Sequence, residues 1–435
     1  MPKIAFYVLG CKLNQYELRA LQEGFEARGW DAVPFEDKAE VYLVHTCAVT
    51  CRSARQCRQI LLRARRLSPK ALIVATGCYA EVAPEELRAV GVDLVVGASR
   101  KEEIVRSVEE ALGGKAPPRS PLQVSRFPDR SRALLEVQDG CDRRCAYCIV
   151  PLARGPSRSR PLEEVLREAE RLAEAGHREL VLTGVDLGAY GKDLKPPIRL
   201  TDLLKALEEV EEPRFRLSSL EPMELSEDLL DLMARSDRLC RHLHLPLQSG
   251  DGGVLKAMGR PYTPEDYRAW VEEACRRVPG ICIGADVIVG FPGESERAFK
   301  NTLRLLEDLP IAYLHVFPFS PRPGTRAYRM RETVEPEEKK RRARLLRDLG
   351  ERKRREFYRN LVGKELEVLM EDRHIGGKTL GFSDNYARVA VDVPEEYTGK
   401  IVRVRALMLD GGVLVGTLHP QTPCALRVAS SPPNG

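Results

Sequence analysis

The chain has 435 residues, enough for about two to four domains. Hydrophobic residues make up 43% of it and charged residues 31%, which excludes a disordered chain. No run approaches about 18 consecutive apolar residues, so a membrane-spanning helix is excluded, and the first residues turn polar too early for a secretory leader. A cytoplasmic protein without a membrane partner is the expectation. The net charge of +5, from 69 basic and 64 acidic residues, does not demand a nucleic-acid partner but allows a local basic face.

In the first 120 residues apolar runs alternate with helical patterns. Strands are expected at 4–9, 41–44, 71–75 and 92–96, with helices at 17–28, 53–66 and from 84 onward. Continuous apolar strands spaced by helices read as a buried parallel sheet. Residues 114–130 have the Pro, Gly, Ser and charge of a linker. Six further strands are expected at 134–138, 179–183, 215–218, 243–247, 282–289 and 313–317, mostly separated by helices such as 162–175 and 264–277. Six βα units suggest a partial (β/α) barrel. Residues 335–359 read as a strongly basic helix. Short strands at 365–370, 386–391, 400–406 and 412–417 then suggest a small all-β barrel, and residues from 423 are expected to fray. The fold class is therefore α/β. It comprises an open parallel α/β domain over 1–120, a partial (β/α) barrel over 127–357 and a small β-barrel over 360–424.

Twelve cysteines in a long, charged chain point to metal or redox chemistry rather than to a disulfide framework. Cys141, Cys145 and Cys148 form a Cx3Cx2C loop directly after the first barrel strand. Thiolates are soft ligands for iron–sulfur clusters, zinc or copper(I). Three of them leave one iron of a four-iron cluster open. A structural zinc would want a fourth ligand, and no His or Cys follows within about 25 residues. A zinc loop and buried free thiols are the alternatives. Cys11, Cys47 and Cys78 each follow an expected strand of the first sheet. At the carboxyl edge of that sheet, where sites form, they would converge on one centre; as ordinary core residues they would carry no chemistry.

The Cx3Cx2C loop, with Tyr147 before its last cysteine and a barrel around it, resembles the radical S-adenosylmethionine (SAM) superfamily. That resemblance implies a 4Fe–4S cluster on Cys141, Cys145 and Cys148, with SAM chelated to the open iron. One electron would cleave SAM to methionine and a 5′-deoxyadenosyl radical, with Tyr147 close to the adenine. The segments Gly10-Cys-Lys-Leu-Asn-Gln-Tyr-Glu17, His45-Thr-Cys-Ala-Val-Thr50 and Thr76-Gly-Cys-Tyr79 resemble the three cysteine motifs of the methylthiotransferases, in the same domain order over residues 3–420. This implies a second 4Fe–4S cluster on Cys11, Cys47 and Cys78 and a C-terminal RNA-binding barrel of the TRAM type. Two features depart from the family: His45 stands where Asn is usual, and Cys51 and Cys57 lie just past Cys47. Cys51 is the alternative third ligand.

The ends of the later barrel strands carry glycines, carboxylates and amides. Among these Ser218, Glu221, Gln248 and Asp286 are expected to touch SAM or substrate, with turn chemistry as the alternative. Arg154, Arg158 and Arg160, in a segment like the family's RG…SRP, read either as an anion site or as a solvated loop. The implied reaction inserts sulfur into an unactivated C–H bond and methylates it, which needs a carbon radical rather than acid–base help. Of three branches, the motif around Cys11 is most like the one acting on N6-threonylcarbamoyladenosine at tRNA position 37. The others act on isopentenyladenosine in tRNA or on a ribosomal-protein aspartate. The implied partners are the anticodon loop of threonylcarbamoyl-modified tRNA and a low-potential electron donor such as a flavodoxin or ferredoxin. The basic helix at 335–359 is the expected phosphate-binding face, or else a solvated helix paired with its own glutamates. In a different class altogether stands a zinc-stabilised RNA-binding protein.

Overall fold

A computed structural model describes residues 1–114, 118, 121–331 and 333–419. The frayed end expected from 423, and 420–424 of the expected third domain, lie outside them. No helix among the described residues is long and apolar enough to cross a membrane.

The first domain is a parallel sheet of β1 (Lys3–Val8), β2 (Asp31–Val33), β3 (Val41–Thr46), β4 (Leu72–Gly77) and β5 (Leu94–Gly97), in the order β2-β1-β3-β4-β5. β3 is buried at every residue, as a strand covered on both faces must be. Helix α1 (Lys12–Glu26) follows β1 and α2 (Cys51–Leu67) follows β3. The strand order reverses between β1 and β3, which opens the crevice where ligands settle in doubly wound sheets. Cys11, Cys47 and Cys78 emerge at that edge. α2 starts sharply because Thr50 and Ser53 cap it reciprocally.

The second domain has six parallel strands: β6 (Arg132–Glu136), β7 (Glu179–Thr183), β8 (Arg214–Leu217), β9 (His242–His244), β10 (Cys282–Val289) and β11 (Tyr313–Pro318). β6, β7 and β8 pair in sequence, as do β9, β10 and β11. Bridges Phe215–Leu239 and Ser219–His244 join the two runs into one open barrel. On β10, Ile283, Ala285, Val287 and Val289 pack with helical residues such as Tyr267 and Val271. By alternation Gly284, Asp286 and Ile288 face the barrel interior.

Helix α3 (Pro336–Arg359) closes the barrel against β11. At Gly350 a Cβ would lie 3.1 Å from Leu314 Cβ, so the crossing favours a residue without a side chain. Part of the charge of this helix is met within the protein. Arg342 is buried against Glu294 and Glu338, Arg341 pairs with Glu338 and Glu296, and Lys340 pairs with Glu337. Lys353 donates to the carbonyls of Glu307 and Leu309. Arg344, Arg347, Arg352, Arg354, Arg355 and Arg359 stay exposed, and with eleven basic against five acidic residues the helix keeps a basic face.

Beyond it β12 (Glu365–Ile375), β13 (Lys378–Ser383), β14 (Arg388–Val391), β15 (Ile401–Asp410) and β16 (Val413–Leu418) pair in the ring β12-β13-β14-β16-β15, closed by β12 on β15. This unit seals the lower end of the (β/α) barrel. Arg214 and Arg216 donate to its carbonyls at Glu367, Phe382, Ser383 and Asp384, while Glu179 pairs with both guanidinium groups.

Candidate active site: two cysteine triads at a domain junction

The first triad is held by its own loop. Gly140 turns the chain out of the barrel with φ +74°; a Cβ there would meet Pro156 O at 1.9 Å, so only glycine fits. The Cys141 amide donates to Gly155 O (3.1 Å) and the Cys148 amide to Cys145 O (3.2 Å). Ala146, between them, is pinned on both sides: its amide donates to Met258 O and its carbonyl accepts from Ala327. Burial pushes the Cys141 and Cys148 thiols up to about 12, and the neighbouring thiolates oppose each ionisation. Arg260 Nη1 lies 3.4 Å from Cys145 Sγ and supplies compensating positive charge.

The second triad is assembled by two clamps. Asn14 Nδ2 donates to Leu9 O (2.7 Å) and Thr46 O (3.3 Å), which fastens the end of β1, and Cys11 with it, to the end of β3. Thr46 Oγ1 donates to Thr76 O (2.5 Å) and accepts from the Ala80 amide (3.2 Å), which fastens the end of β3 to that of β4. Cys11, Cys47 and Cys78 thus meet: the charge on Cys11 opposes ionisation of Cys47, and both oppose that of Cys78. Burial is the largest cause in each case and takes Cys78 to about 12.

Cys57 and Cys51 make other contacts. Cys57 Sγ sits behind the triad and accepts from the Cys47 amide (3.3 Å). Cys51 faces the barrel, its Sγ 3.3 Å from Pro321 O and 3.6 Å from Arg322 Nη1.

Among the described residues, the sets of three candidate ligand atoms within 4.8 Å of one another are His244, Asp286 and His315, and Glu17, Glu136 and Asp139. Neither cysteine triad is among them. A single zinc, with bonds of about 2.3 Å to sulfur, draws its thiolates closer than this. Three soft sulfurs held wider suit a polynuclear cluster.

The two triads adjoin through the short helix Val150–Arg154, which begins two residues after Cys148. Its Ile149 and Ala153 flank are buried in the same apolar cluster as Cys57, Cys78 and Tyr79. Arg154, fully buried, spans the junction: Nη1 donates to Glu17 Oε1 and Asp139 Oδ1 (2.9 Å each), and Nη2 to Asn14 Oδ1 (2.7 Å) and Glu17 Oε2 (3.0 Å). Lys101 Nζ joins Glu17, Glu136 and Asp139. His45 Nε2 lies 3.0 Å from Glu17 Oε2, and burial lowers its pKa. Arg160 is likewise engaged, with Glu168 and the Glu136 carbonyl. The Arg154–Arg160 segment is mainly an interdomain brace, neither the anion site nor the solvated loop expected of it. Of its three arginines Arg158 is the half-exposed one.

The remaining expected residues line the barrel mouth. Tyr147 packs against the cluster that holds Met258 and Phe291, and burial, with the nearby Cys145 and Cys148, raises its hydroxyl pKa against the pull of Arg260. Glu221 is engaged by Arg260 in a two-pronged ion pair. Ser218 Oγ and Asp186 Oδ1 are buried without a hydrogen-bond partner, the condition of polar atoms awaiting a ligand. Gln248 sits at φ +68°, bonded through its backbone to Asp286 and Ile288. Asp286 Oδ1 is 2.9 Å from His244 Nε2 and 3.2 Å from His315 Nδ1. Burial opposes its ionisation, yet these two bonds hold its carboxyl below the usual range. Arg260, Lys101 and the two histidines were missed by sequence reasoning: each stands in an ordinary turn, helix or strand pattern, and only tertiary packing brings it to the site.

A profile of the Radical SAM superfamily matches residues 135–306, and one described as Uncharacterized protein family UPF0004 matches residues 3–97. The threonylcarbamoyladenosine tRNA methylthiotransferase MtaB of Bacillus subtilis is 38% identical over 425 residues, 94% of each chain. Its counterpart in Aquifex aeolicus is 39% identical over 417 residues, 92% of this chain and 99% of that one. A tRNA-2-methylthio-N(6)-dimethylallyladenosine synthase of Thermotoga petrophila is 32% identical over 433 residues, 94% and 96% of the two chains. In fold the chain resembles the radical SAM methyltransferase TsrM from Kitasatospora setae, with TM-score 0.56, 17% identity and 75% and 74% coverage. These matches and the barrel define a radical SAM enzyme. More narrowly, the chain belongs to the radical SAM methylthiotransferase family.

Proposed function

We propose that this enzyme converts N6-threonylcarbamoyladenosine at tRNA position 37 to its 2-methylthio derivative. The observation that carries the proposal is the convergence of Cys11, Cys47 and Cys78 beside the helix that follows Cys148. In this reading Cys141, Cys145 and Cys148 hold one 4Fe–4S cluster and bind SAM at its open iron, and Cys11, Cys47 and Cys78 hold a second. When bound, these groups supply reductive cleavage of SAM to a carbon-centred radical and a sulfur for insertion, chemistry that a non-acidic C–H bond requires.

The chain's own part is positioning. Asn14 and Thr46 align the three strand-end thiolates; Arg154 and Lys101 fix the first domain on the barrel, so that one base can reach both centres. Ser218 and Asp186 offer unsatisfied polar atoms to SAM, with Tyr147, Gln248 and Asp286 around them. Glu221 acts through Arg260. The domains are taken as 1–120, 127–357 and 360–424, the last a TRAM-type barrel that grips RNA. A low-potential flavodoxin or ferredoxin donates the electron, and the work is done in the cytoplasm. The greater identity to the threonylcarbamoyl-acting relatives supports that substrate over the isopentenyl one.

Anaerobic reconstitution should give about eight irons and eight sulfides per chain, and nucleosides from tRNA treated with the enzyme should contain 2-methylthio-N6-threonylcarbamoyladenosine by mass spectrometry. Stoichiometric zinc without sulfide would overturn the cofactor assignment. Methylthiolation of isopentenyladenosine alone would overturn the substrate.

A further inference from the structure

A groove of about 1230 Å3 runs between α1, residues 126–132, the lower barrel and the loops at 371–373 and 398–399. α1 contributes Lys12, Gln15, Leu18 and Gln22 to it, at the three- and four-residue spacing of a single helix face. Leu134 and Val181 of the barrel give it an apolar floor. Val8 and Lys12, on either side of the turn that carries Cys11, line it together with Tyr386, whose ring lies 4.5 Å from that of His242 in the barrel. The groove therefore leads from the strand-end triad into the barrel.

Its wall carries Lys12, Arg126, Arg130, Arg132 and Arg373 against Asp129, Glu371 and Asp372, with Arg132 paired to Glu371. Among the described residues no carboxylate lies within ion-pair distance of Lys12, Arg130 or Arg373. Arg130 Nη1 donates to Gln15 Oε1 at 2.6 Å. That bond fixes the Gln15 amide with its oxygen occupied and its NH2 free to donate. Partial burial, then repulsion from Arg132 and Arg373, lowers the Arg130 pKa, against a smaller opposing pull from Asp129 and Glu371.

We propose that Lys12, Gln15 and Arg130 form an oxyanion site that takes the carboxylate of the N6 side chain of the target adenosine. The inference rests on the substrate assigned above. A planar carboxylate matches a guanidinium fork with an amide donor beside it, and the ammonium of Lys12 adds charge. An apolar N6 substituent would leave these groups facing it unpaired, which is how such a site discriminates. A backbone phosphate of the same RNA shares the chemistry, and the test separates the two sources.

The probes are anticodon stem-loop RNAs identical except at position 37, carrying N6-threonylcarbamoyladenosine, N6-isopentenyladenosine or plain adenosine. Their affinities for the reconstituted enzyme are measured by anaerobic fluorescence titration. Wild type is expected to favour the threonylcarbamoyl RNA. Lys12→Met and Arg130→Gln should each lower that preference roughly 10- to 100-fold, raising KM more than they lower kcat, while Lys12→Arg retains it. Equal weakening toward all three RNAs would place a phosphate there and overturn the proposal. So would an unchanged preference in both variants. If wild type neither prefers nor methylthiolates the threonylcarbamoyl RNA, the substrate reading itself falls; if it does both and the variants keep the preference, only the site falls.

Discussion

The two cysteine triads reach similar ends by opposite routes. Cys141, Cys145 and Cys148 occupy eight consecutive residues, and a glycine turn and a few backbone bonds place them. Cys11, Cys47 and Cys78 come from three strands and depend on the sheet's strand order and on the side chains of Asn14 and Thr46. A loop triad is a local object that survives distant damage. A strand-end triad registers any change in how its sheet is assembled, so the two should respond differently to substitution.

The sharpest break between them comes from removing one ligand from each. With Cys145→Ala the loop centre loses a ligand, and 5′-deoxyadenosine formation should fall below detection by liquid chromatography; normal production would sink the assignment. Cys78→Ala should abolish methylthio product in tRNA, while SAM cleavage is retained at a reduced rate and iron falls toward four per chain. Full product from that variant would remove Cys78 from the site.

Arg154→Met tests what the triads share. It leaves Glu17 and Asp139 buried with Lys101, His45 and the half-exposed Arg158 as remaining partners, at a cost of roughly 3–5 kcal/mol. Thermal unfolding should drop accordingly. Methylthio product should fall further than SAM cleavage, because the junction loosens while the loop triad keeps its own anchors. Equal loss of both activities would mean that Arg154 serves the barrel alone.

The same contrast decided what could be read before folding. A contiguous Cx3Cx2C loop carries its geometry in its spacing, and strands 179–183 and 282–289 coincide with β7 and β10 because apolar runs mark buried parallel strands. β2 and β13 escaped: the first is a three-residue edge strand and the second carries a glycine at 381 within a half-exposed pattern. α1 starts at Lys12 rather than at 17, because Lys12, Asn14 and Gln15 are polar for a reason invisible in one dimension: they face the groove and the clamp. Net charge misled most on the Arg154–Arg160 segment, and on Arg342 within α3. A count of basic residues does not say which will find carboxylates on another element, and Arg342 and Arg154 both found them in the interior.

Thr46→Val gives the smallest expected effect and the finest test of the clamps. Valine keeps the shape of threonine but lacks the hydroxyl that ties Thr76 O and the Ala80 amide. The buried Ala80 amide loses this partner, so the cost is about 1–3 kcal/mol. The barrel does not use this hydroxyl, so SAM cleavage should match wild type. The strand-end centre does use it: the end of β4, carrying Cys78, is free to shift against Cys47, and iron should be lost from that centre first on mild chelation. Loss of SAM cleavage in step with iron would show that the two triads are coupled more tightly than two hydrogen bonds at one sheet edge explain, and the separation between a local and an assembled site would have to be abandoned.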